Sequence, residues 1–497
     1  MDARAPVPPF GIGESMTDST LQQASSMLDA RLDRLPVTRR HILWIAVLGL
    51  TFLVETFDNV MFASVAPAIR VEWDLTLGEI GLLASSVFIG MFIGAVVGGR
   101  LSDRIGRKPV LVAGCLIFGL SSLTSAFAPS PEWLLALRIV TGIGMQAAVG
   151  VLLVVVSEMF PSARRGRFFT MLTFIGFAAV PITSFTALAI VPTGPSAWRW
   201  VFAIGGAGIV IALLVLRFVP ETVRWQVAHN RSKAATRTVE LLEAAAQKGG
   251  KLLSAPQQLP PVASQQRLRD LFRGTVLRRL VVMCSAFGIY LFCLVGFQAW
   301  IPTILTSLGM EQTAALQFAS IVSLSTIFGP VIIYFIADRI ERKVILFVSS
   351  VITATAMLTF AFSGDPVISI VASFVASMAA TSMTVSFYAY IPEVFPTALR
   401  GVGVGAVNGA ARVTGFLSGI SVAAIYSAWG FQWLYTILAG LFLVAGTIIL
   451  VFGVRTTNRS LELINEFDIT QGNGSPPAAA MSPGGNAERI PGGDRHS

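Results

Sequence analysis

The chain is short of charge, of cysteine and of histidine. Of its 497 residues only 13% are charged, against roughly 25% in an ordinary soluble protein. Together with 54% hydrophobic residues and a mean hydropathy of +0.72, this excludes a water-soluble globular fold and makes the lipid bilayer the expected surroundings. The three cysteines, Cys115, Cys284 and Cys293, all lie in apolar stretches and share no ligand spacing, which excludes a disulfide framework. His41, His229 and His496 fall at or outside the edges of the apolar runs, and no Cys/His/Asp cluster accompanies them. No catalytic or metal-binding constellation is left, so neither an enzyme nor a cofactor is expected. The net charge of +9 is scattered over short segments between apolar runs, so nucleic acid is not an expected partner. The first forty residues are polar and the first apolar run is long enough to span, unlike a cleavable signal peptide.

What the chain has in abundance is apolar run. A membrane-spanning helix needs about 20 apolar residues, and twelve such runs occur, near 42–66, 78–99, 109–128, 132–156, 168–190, 200–219, 280–301, 315–336, 344–362, 367–390, 402–425 and 431–453. Only helices and closed barrels satisfy their backbone in lipid, and runs of this length read as helices. The expected fold is therefore all-α: six helices over 42–219, six more over 280–453. Around them lie an N-terminal segment 1–41, a linker 220–279 and a tail 454–497 that turns Pro- and Gly-rich and is expected to be disordered. "SSMLDARLDRLPVTRRH" before the first run reads as an amphipathic anchor helix on the membrane face, and "SKAATRTVELLEAAAQK" in the linker also reads as helical.

The basic residues fall on one side. Arg34, Arg39 and Arg40, then Arg100, Arg104, Arg107 and Lys108, then Arg164, Arg165 and Arg167, share a face with Arg339, Arg342, Lys343, Arg400 and most of the basic residues of 217–279. The opposite face keeps only Arg70 and Arg199. By the positive-inside rule both termini are expected in the cytoplasm.

The chain also repeats itself. "GRLSDRIGRKPVL" at 99–111 returns as "YFIADRIERKVIL" at 334–346, and "SEMFPSARRG" at 157–166 returns as "PEVFPTALRG" at 392–401. Asp103 thus matches Asp338, Arg104 matches Arg339, Glu158 matches Glu393 and Arg165 matches Arg400, all at an offset of 235 residues. Two separate motifs with one offset indicate a duplication of a six-helix unit in parallel orientation.

The first loop motif closely resembles the signature between helices two and three of the major facilitator superfamily, and the resemblance extends over 40–455. "RIVTGIG" in the fourth run, "VPETVRW" after the sixth and the paired Glu-x-Phe-Pro-x-x-x-Arg-Gly motifs resemble the metabolite/proton symporter branch, which includes sugar porters and aromatic-acid/proton symporters. The resemblance implies twelve helices in two bundles, alternating access, a small-molecule substrate, the proton as coupling ion, a bacterial inner-membrane location and a monomer. It also implies that Asp103, Arg104, Gly106, Arg107, Lys108, Glu158 and Arg165, with Asp338, Arg339, Arg342, Glu393 and Arg400 in the second copy, form a cytoplasmic latch between the halves. Gly106 permits a turn with positive φ. The second copy has Glu341 at that position and is expected to be the looser latch.

Charges inside the apolar runs are costly and mark functional positions. They are Glu55 and Asp58 in the first helix, Arg138 in the fourth and Arg412 in the eleventh. Counting residues from the run ends at 1.5 Å per residue sets Asp58 and Arg138 at about the same depth, so they are expected to pair. A cationic partner favours the ionised carboxylate, and burial without it favours the protonated one. Making and breaking the contact would therefore take up and release a proton, and sugar porters show a similar Asp and Arg. Glu55 is one turn away on nearly the same face and resembles the first acid of an Asp-x-x-Asp element in aromatic-acid symporters. Arg412 is expected near the midplane, where transporter sites lie, with no acid available in helices seven to twelve. A guanidinium so placed suits a substrate carboxylate, and aromatic-acid symporters carry a similar Arg. Gln146, Tyr290, Gln298, Trp300, Tyr388 and Asn408 are further candidate cavity residues.

The favoured expectation is proton-coupled uptake of a small organic acid, an aromatic or related carboxylate. A sugar or polyol symporter is the alternative, with efflux or a non-transporting membrane sensor behind it.

Overall fold

The computed structural model describes residues 27–28, 30–248, 271–336, 339–396 and 399–455, without the side chains of 162, 163, 165 and 248. Among these residues the chain forms helices and no strand. The N-terminal half contains α1 (Arg39–Glu72), α2 (Leu77–Ile105), α3 (Arg107–Ser125), α4 (Pro131–Met159), α5 (Ser162–Ile190) and α6 (Trp198–Phe218). The C-terminal half contains α7 (Gly274–Gln298), α8 (Gln312–Ile336), α9 (Arg342–Phe362) and α10 (Pro366–Val394). A last helical stretch, Arg400–Phe452, is 53 residues long. That is about 80 Å at 1.5 Å per residue, far more than the roughly 30 Å of a bilayer core. It breaks at Gly430, whose φ of 78° is not helical, into α11 before the break and α12 after it. Twelve spans result, as the hydropathy predicts.

Local chemistry sets the helix starts. At α2, Thr76 and Glu79 form a reciprocal capping box: the Thr76 amide donates to Glu79 Oε2 at 2.8 Å and the Glu79 amide donates to Thr76 Oγ1 at 3.3 Å. At α10, Asp365 accepts from the amides of Val367 and Ile368 at 2.7 and 3.1 Å, and Pro366 occupies the first turn, where its missing N–H costs nothing. Pro131 does the same for α4.

The glycine run of α2 sets its distance from α4. A side chain at Gly90 or Gly94 would collide with the carbonyl oxygens of Ile139 and Ile143, so the two backbones touch directly, as small residues allow in membrane helices. Between the halves, α11 packs on α2, α8 on α5, and the short helix Ile301–Ser307, which continues α7, on α1. A Cβ on Gly81 would stand 2.6 Å from the Gly419 carbonyl oxygen, and one on Gly415 would meet the Phe88 ring at 2.9 Å. Gly81 and Phe88 belong to the half of α2 remote from the basic loops, so the halves are apposed on the face opposite the basic one.

The N-terminal segment departs from expectation. Leu28, Leu32 and Leu35 are buried in one apolar cluster with Ala235, Val239, Leu242 and Ala246 of the linker helix Ser232–Lys248. Arg31 and Arg34 both donate to the Glu243 carboxylate, at 2.7 and 2.6 Å. The amphipathic face is thus covered by protein and not by lipid, because the linker helix offers a matching apolar stripe and a counter-charge. The tail beyond 455, expected to be disordered, lies outside the described residues.

Candidate functional site

Asp58 and Arg138 meet. The Arg138 Nη1 is 3.5 Å from Asp58 Oδ1, with 1% and 0% of the side chains exposed. The pair is enclosed within the N-terminal half: Arg138 lies over the Phe62 ring at 5.2 Å, and Asp58 is walled by Ser122 of α3 and Gly205 of α6. Ser122 donates to the Phe202 carbonyl at 3.0 Å, and a side chain on Gly205 would strike both Ser122 and Asp58. Neither oxygen of Asp58 has a hydrogen-bond partner among the described residues. An ion pair this long and this thinly bonded is held by charge and enclosure more than by directed hydrogen bonds. The depth count behind the expected pairing needs one correction: α1 runs on past Pro67 to Glu72. Asp58 is thus further from the helix end than the apolar run suggested, and the part beyond it carries the outer fastening of the half. There Glu72 accepts from Trp198 Nε1 at 2.6 Å and from Arg199 at 2.9 Å, tying α1 to α6. A lone acid at a run's edge carries no sequence signal for this role.

Glu55 has a different neighbourhood. It is 6% exposed, and among the described residues its side chain accepts one hydrogen bond, a 3.3 Å contact from Thr56. Arg412, twelve residues into α11, is half-buried. Among the described residues it makes no ion pair within 4 Å and no side-chain hydrogen bond.

The remaining cavity candidates differ in exposure and in the partners they meet. Tyr290 is fully buried in the C-terminal core among Phe287, Phe387 and Phe442, and its hydroxyl donates to the Ala380 carbonyl at 3.0 Å and contacts the Thr384 hydroxyl. This places its ring and hydroxyl in the helix packing of the C-terminal half. Gln298 donates to Ser377 at 2.9 Å and Asn408 to the Val404 carbonyl of its own helix at 2.9 Å. Tyr388 is 46% exposed, while Trp300 is 2% exposed with an indole N–H that finds no partner among the described residues. Gln146 is half-buried.

On the basic face the ion pairs seen among the described residues join groups of one half. Arg107 bonds Glu158 at 3.2 Å and Asp103 at 3.2 Å, while Arg342 bonds Glu393 at 2.7 Å. Asp103 remains 74% exposed, and Arg104 and Arg339 are exposed. Arg400 is half-buried and engaged. Asp338 and the Arg165 side chain lie outside the described residues. Gly106 has φ +114° and leaves room for a residue the motif reading passed over. Glu221, in "VPETVRW", accepts from the amides of Arg107 at 3.0 Å and Lys108 at 3.2 Å and so caps α3, a favourable place for an anion. Lys108 is half-buried beside it. Trp225 of the same motif donates to the Asp103 carbonyl at 3.0 Å. Among the described residues no His, Cys, Asp and Glu group has a metal-binding arrangement.

The comparisons agree with this architecture. The Major Facilitator Superfamily profile matches residues 48–419 and 318–471. YyaJ of Bacillus subtilis (strain 168) is 30% identical, covering 87% of this chain and 96% of its own length. The niacin transporter NiaP of Acinetobacter baylyi is 28% identical over 88% of this chain and 99% of its own. A crystal structure of a D-xylose-proton symporter superposes with a TM-score of 0.69 at 19% identity, covering 84% of this chain and 99% of that one. Duplicated six-helix halves, the Gly106 loop capped by Glu221 and a family match over most of the length lead to one conclusion: the chain belongs to the major facilitator superfamily of membrane transporters.

Proposed function

We propose that the protein is a proton-coupled importer of a small organic acid, an aromatic or related carboxylate, in the bacterial inner membrane with both termini cytoplasmic, working as a monomer. The observation that carries this reading is Arg412: a half-buried guanidinium on the helix that joins the two halves, with no ion pair within 4 Å among the described residues. A cation so held is suited to a carboxylate, which it grips through two parallel hydrogen bonds. NiaP among the relatives carries niacin, a carboxylic acid. Asp58 is the proton site. Arg138 compensates its charge while the 3.5 Å contact stands, and a movement that parts them would make the protonated acid the favoured form.

In this scheme the structure as it stands faces inward. The halves touch on the face away from the basic loops, while the ion pairs of Arg107 with Asp103 and Glu158, and of Arg342 with Glu393, each join residues of one half. The latch would join the halves in the opposite, outward-facing state. A sugar or polyol is the second reading, favoured by the "VPETVRW" resemblance and disfavoured by a guanidinium that sugar hydroxyls do not need.

The test is uptake into proteoliposomes under an imposed inward-directed pH gradient, with radiolabelled benzoate, nicotinate and xylose. Accumulation of an acid, abolished by Arg412→Ala and partly kept by Arg412→Lys, is the expected result. Accumulation of xylose alone, or equal loss in both variants, overturns the proposal.

A further inference from the structure

The ends of α7, α10 and α12 on the basic face enclose a cleft of about 210 Å³. Thr275, Arg278 and Arg279 of α7 form one wall, and Tyr390 of α10 with Val451 and Phe452 of α12 stand opposite. Two guanidinium groups and no acid line it among the described residues. The nearby acids are engaged elsewhere: Glu393 bonds Arg342 at 2.7 Å, and Glu341 also has a partner. The cleft is held open by two bonds to backbone carbonyls. Arg279, 6% exposed, donates to Val394 at 2.8 Å, and the Tyr390 hydroxyl donates to Val454 at 2.7 Å. Arg278 is different: it is exposed, and its side chain makes no ion pair or hydrogen bond among the described residues. The 25-residue α7 also begins here without a side-chain cap, so its first amides add to the positive field.

We propose that this cleft binds the phosphate of an anionic phospholipid headgroup, gripped by Arg278, with the acyl chains running along the outside of α7 and α12. The surroundings favour a lipid over a free phosphate. Leu277 and Val281 on α7 and Val451 and Phe452 on α12 are exposed apolar side chains, and on spanning helices such residues lie against lipid tails. The cleft thus has cations inside and an apolar rim, the pattern of a headgroup site between helices. Its volume is below the roughly 300–1,000 Å³ of a small-molecule pocket, which suits a charged head whose bulk stays outside. A phosphate offers a guanidinium two oxygens at once, and one anion lowers the charge where two cations share a cleft. A free phosphate has the same oxygens but gains nothing from the rim. Every lining residue belongs to the C-terminal half, so the lipid braces that half and takes no part in the substrate or proton site.

The test is native mass spectrometry of the delipidated full chain, titrated with phosphatidylglycerol, with phosphatidylcholine and with soluble glycerol phosphate. The wild type is expected to hold one phosphatidylglycerol more tightly than phosphatidylcholine, and glycerol phosphate should not displace it at equal concentration. Arg278→Ala should weaken that first lipid by about tenfold, the worth of one charge-assisted hydrogen bond. Arg278 is exposed, so its loss leaves the packing intact; an unchanged melting temperature without lipid checks this. Arg217→Ala removes an equally exposed cation at the end of α6 on the same face and should change the affinity by less than about twofold. Equal weakening in the two variants would assign the binding to diffuse surface charge and overturn the site. Glycerol phosphate binding as tightly as the lipid would overturn the lipid as its occupant, and a wild type that treats the two lipids alike would overturn the proposal.

Discussion

Asp58 and Arg138 lie 3.5 Å apart and are almost wholly sealed from solvent, whereas Glu55, one turn earlier on the same helix, makes no ion pair within 4 Å among the described residues and accepts a 3.3 Å hydrogen bond from Thr56. Two carboxylates that look equivalent in "FLVETFDNV" are thus divided by the tertiary structure. One is charge-paired inside a single bundle, and the other is buried without an ion pair among the described residues. The role proposed for Asp58 follows: a proton site that responds to rearrangement within the N-terminal half.

Replacing Asp58 by Asn removes the titratable group and keeps the shape. Gradient-driven accumulation is expected to fall to the equilibrium level, while counterflow exchange of preloaded substrate continues. Equal loss of both activities in the same proteoliposomes would show that Asp58 holds the bundle together and does not couple the proton.

Gly205 is where α6 comes up against the Asp58 pocket. In Gly205→Ala the new methyl would meet Ser122 and Asp58, and overpacking of this kind costs about 1–3 kcal/mol. A lower melting temperature in detergent and impaired transport are expected. Adding Ser122→Ala, which removes the nearest atom, should recover part of the melting temperature, and no recovery would argue against the clash.

Gly106 and Glu221 act as one device. Gly106→Ala places a side chain at φ +114° and against the Glu221 carboxylate, a strain of about 1–3 kcal/mol. Glu221→Ala leaves the first amides of α3 uncapped, at about 0.5–2 kcal/mol. Each is expected to slow transport, and the double variant should lose clearly less than the sum, because both break the same contact. A double-mutant cycle on initial uptake rates checks this; strict additivity would separate the two residues.

Docking of the N-terminal segment should respond to acid. Burial disfavours the Glu243 carboxylate, but hydrogen bonds from Arg31 and Arg34 outweigh it and hold the group below its usual value of 4.5. A carboxyl depressed in the docked state stabilises docking fully above that usual value and loses its contribution as the pH falls through the depressed one. The protection of residues 30–35, taken relative to intrinsic amide exchange at each pH, should therefore hold from neutral pH to about 4.5 and fall below it. In Glu243→Gln exchange should be faster at neutral pH, and the acid transition should disappear. A transition that persists in the variant would assign it to another group.

Much of this architecture was legible in sequence because the bilayer reduces the question to length and polarity. A run near twenty apolar residues has few alternatives to a spanning helix, and each of the twelve expected runs is helical over most of its length. The 235-residue offset exposed the duplication without any contact being known. The linker helix was legible from its composition. The Asp58–Arg138 contact was within reach too, because few charges share the membrane interior and opposite ones seek each other.

What only the tertiary structure decided concerns partners remote in sequence. Charge pattern cannot say where the halves meet, which the close approaches of Gly81 to Gly419 and of Gly415 to Phe88 decide. Nor can it say that Glu221 caps the Gly106 loop, that Leu28 and Leu32 turn to the linker helix instead of the membrane, or that Tyr290 is spent on packing. A membrane sequence specifies which segments leave water, because transfer free energy is local and additive along the chain. Which side chains then meet depends on backbone approach and helix rotation, and these arise only when the bundles close.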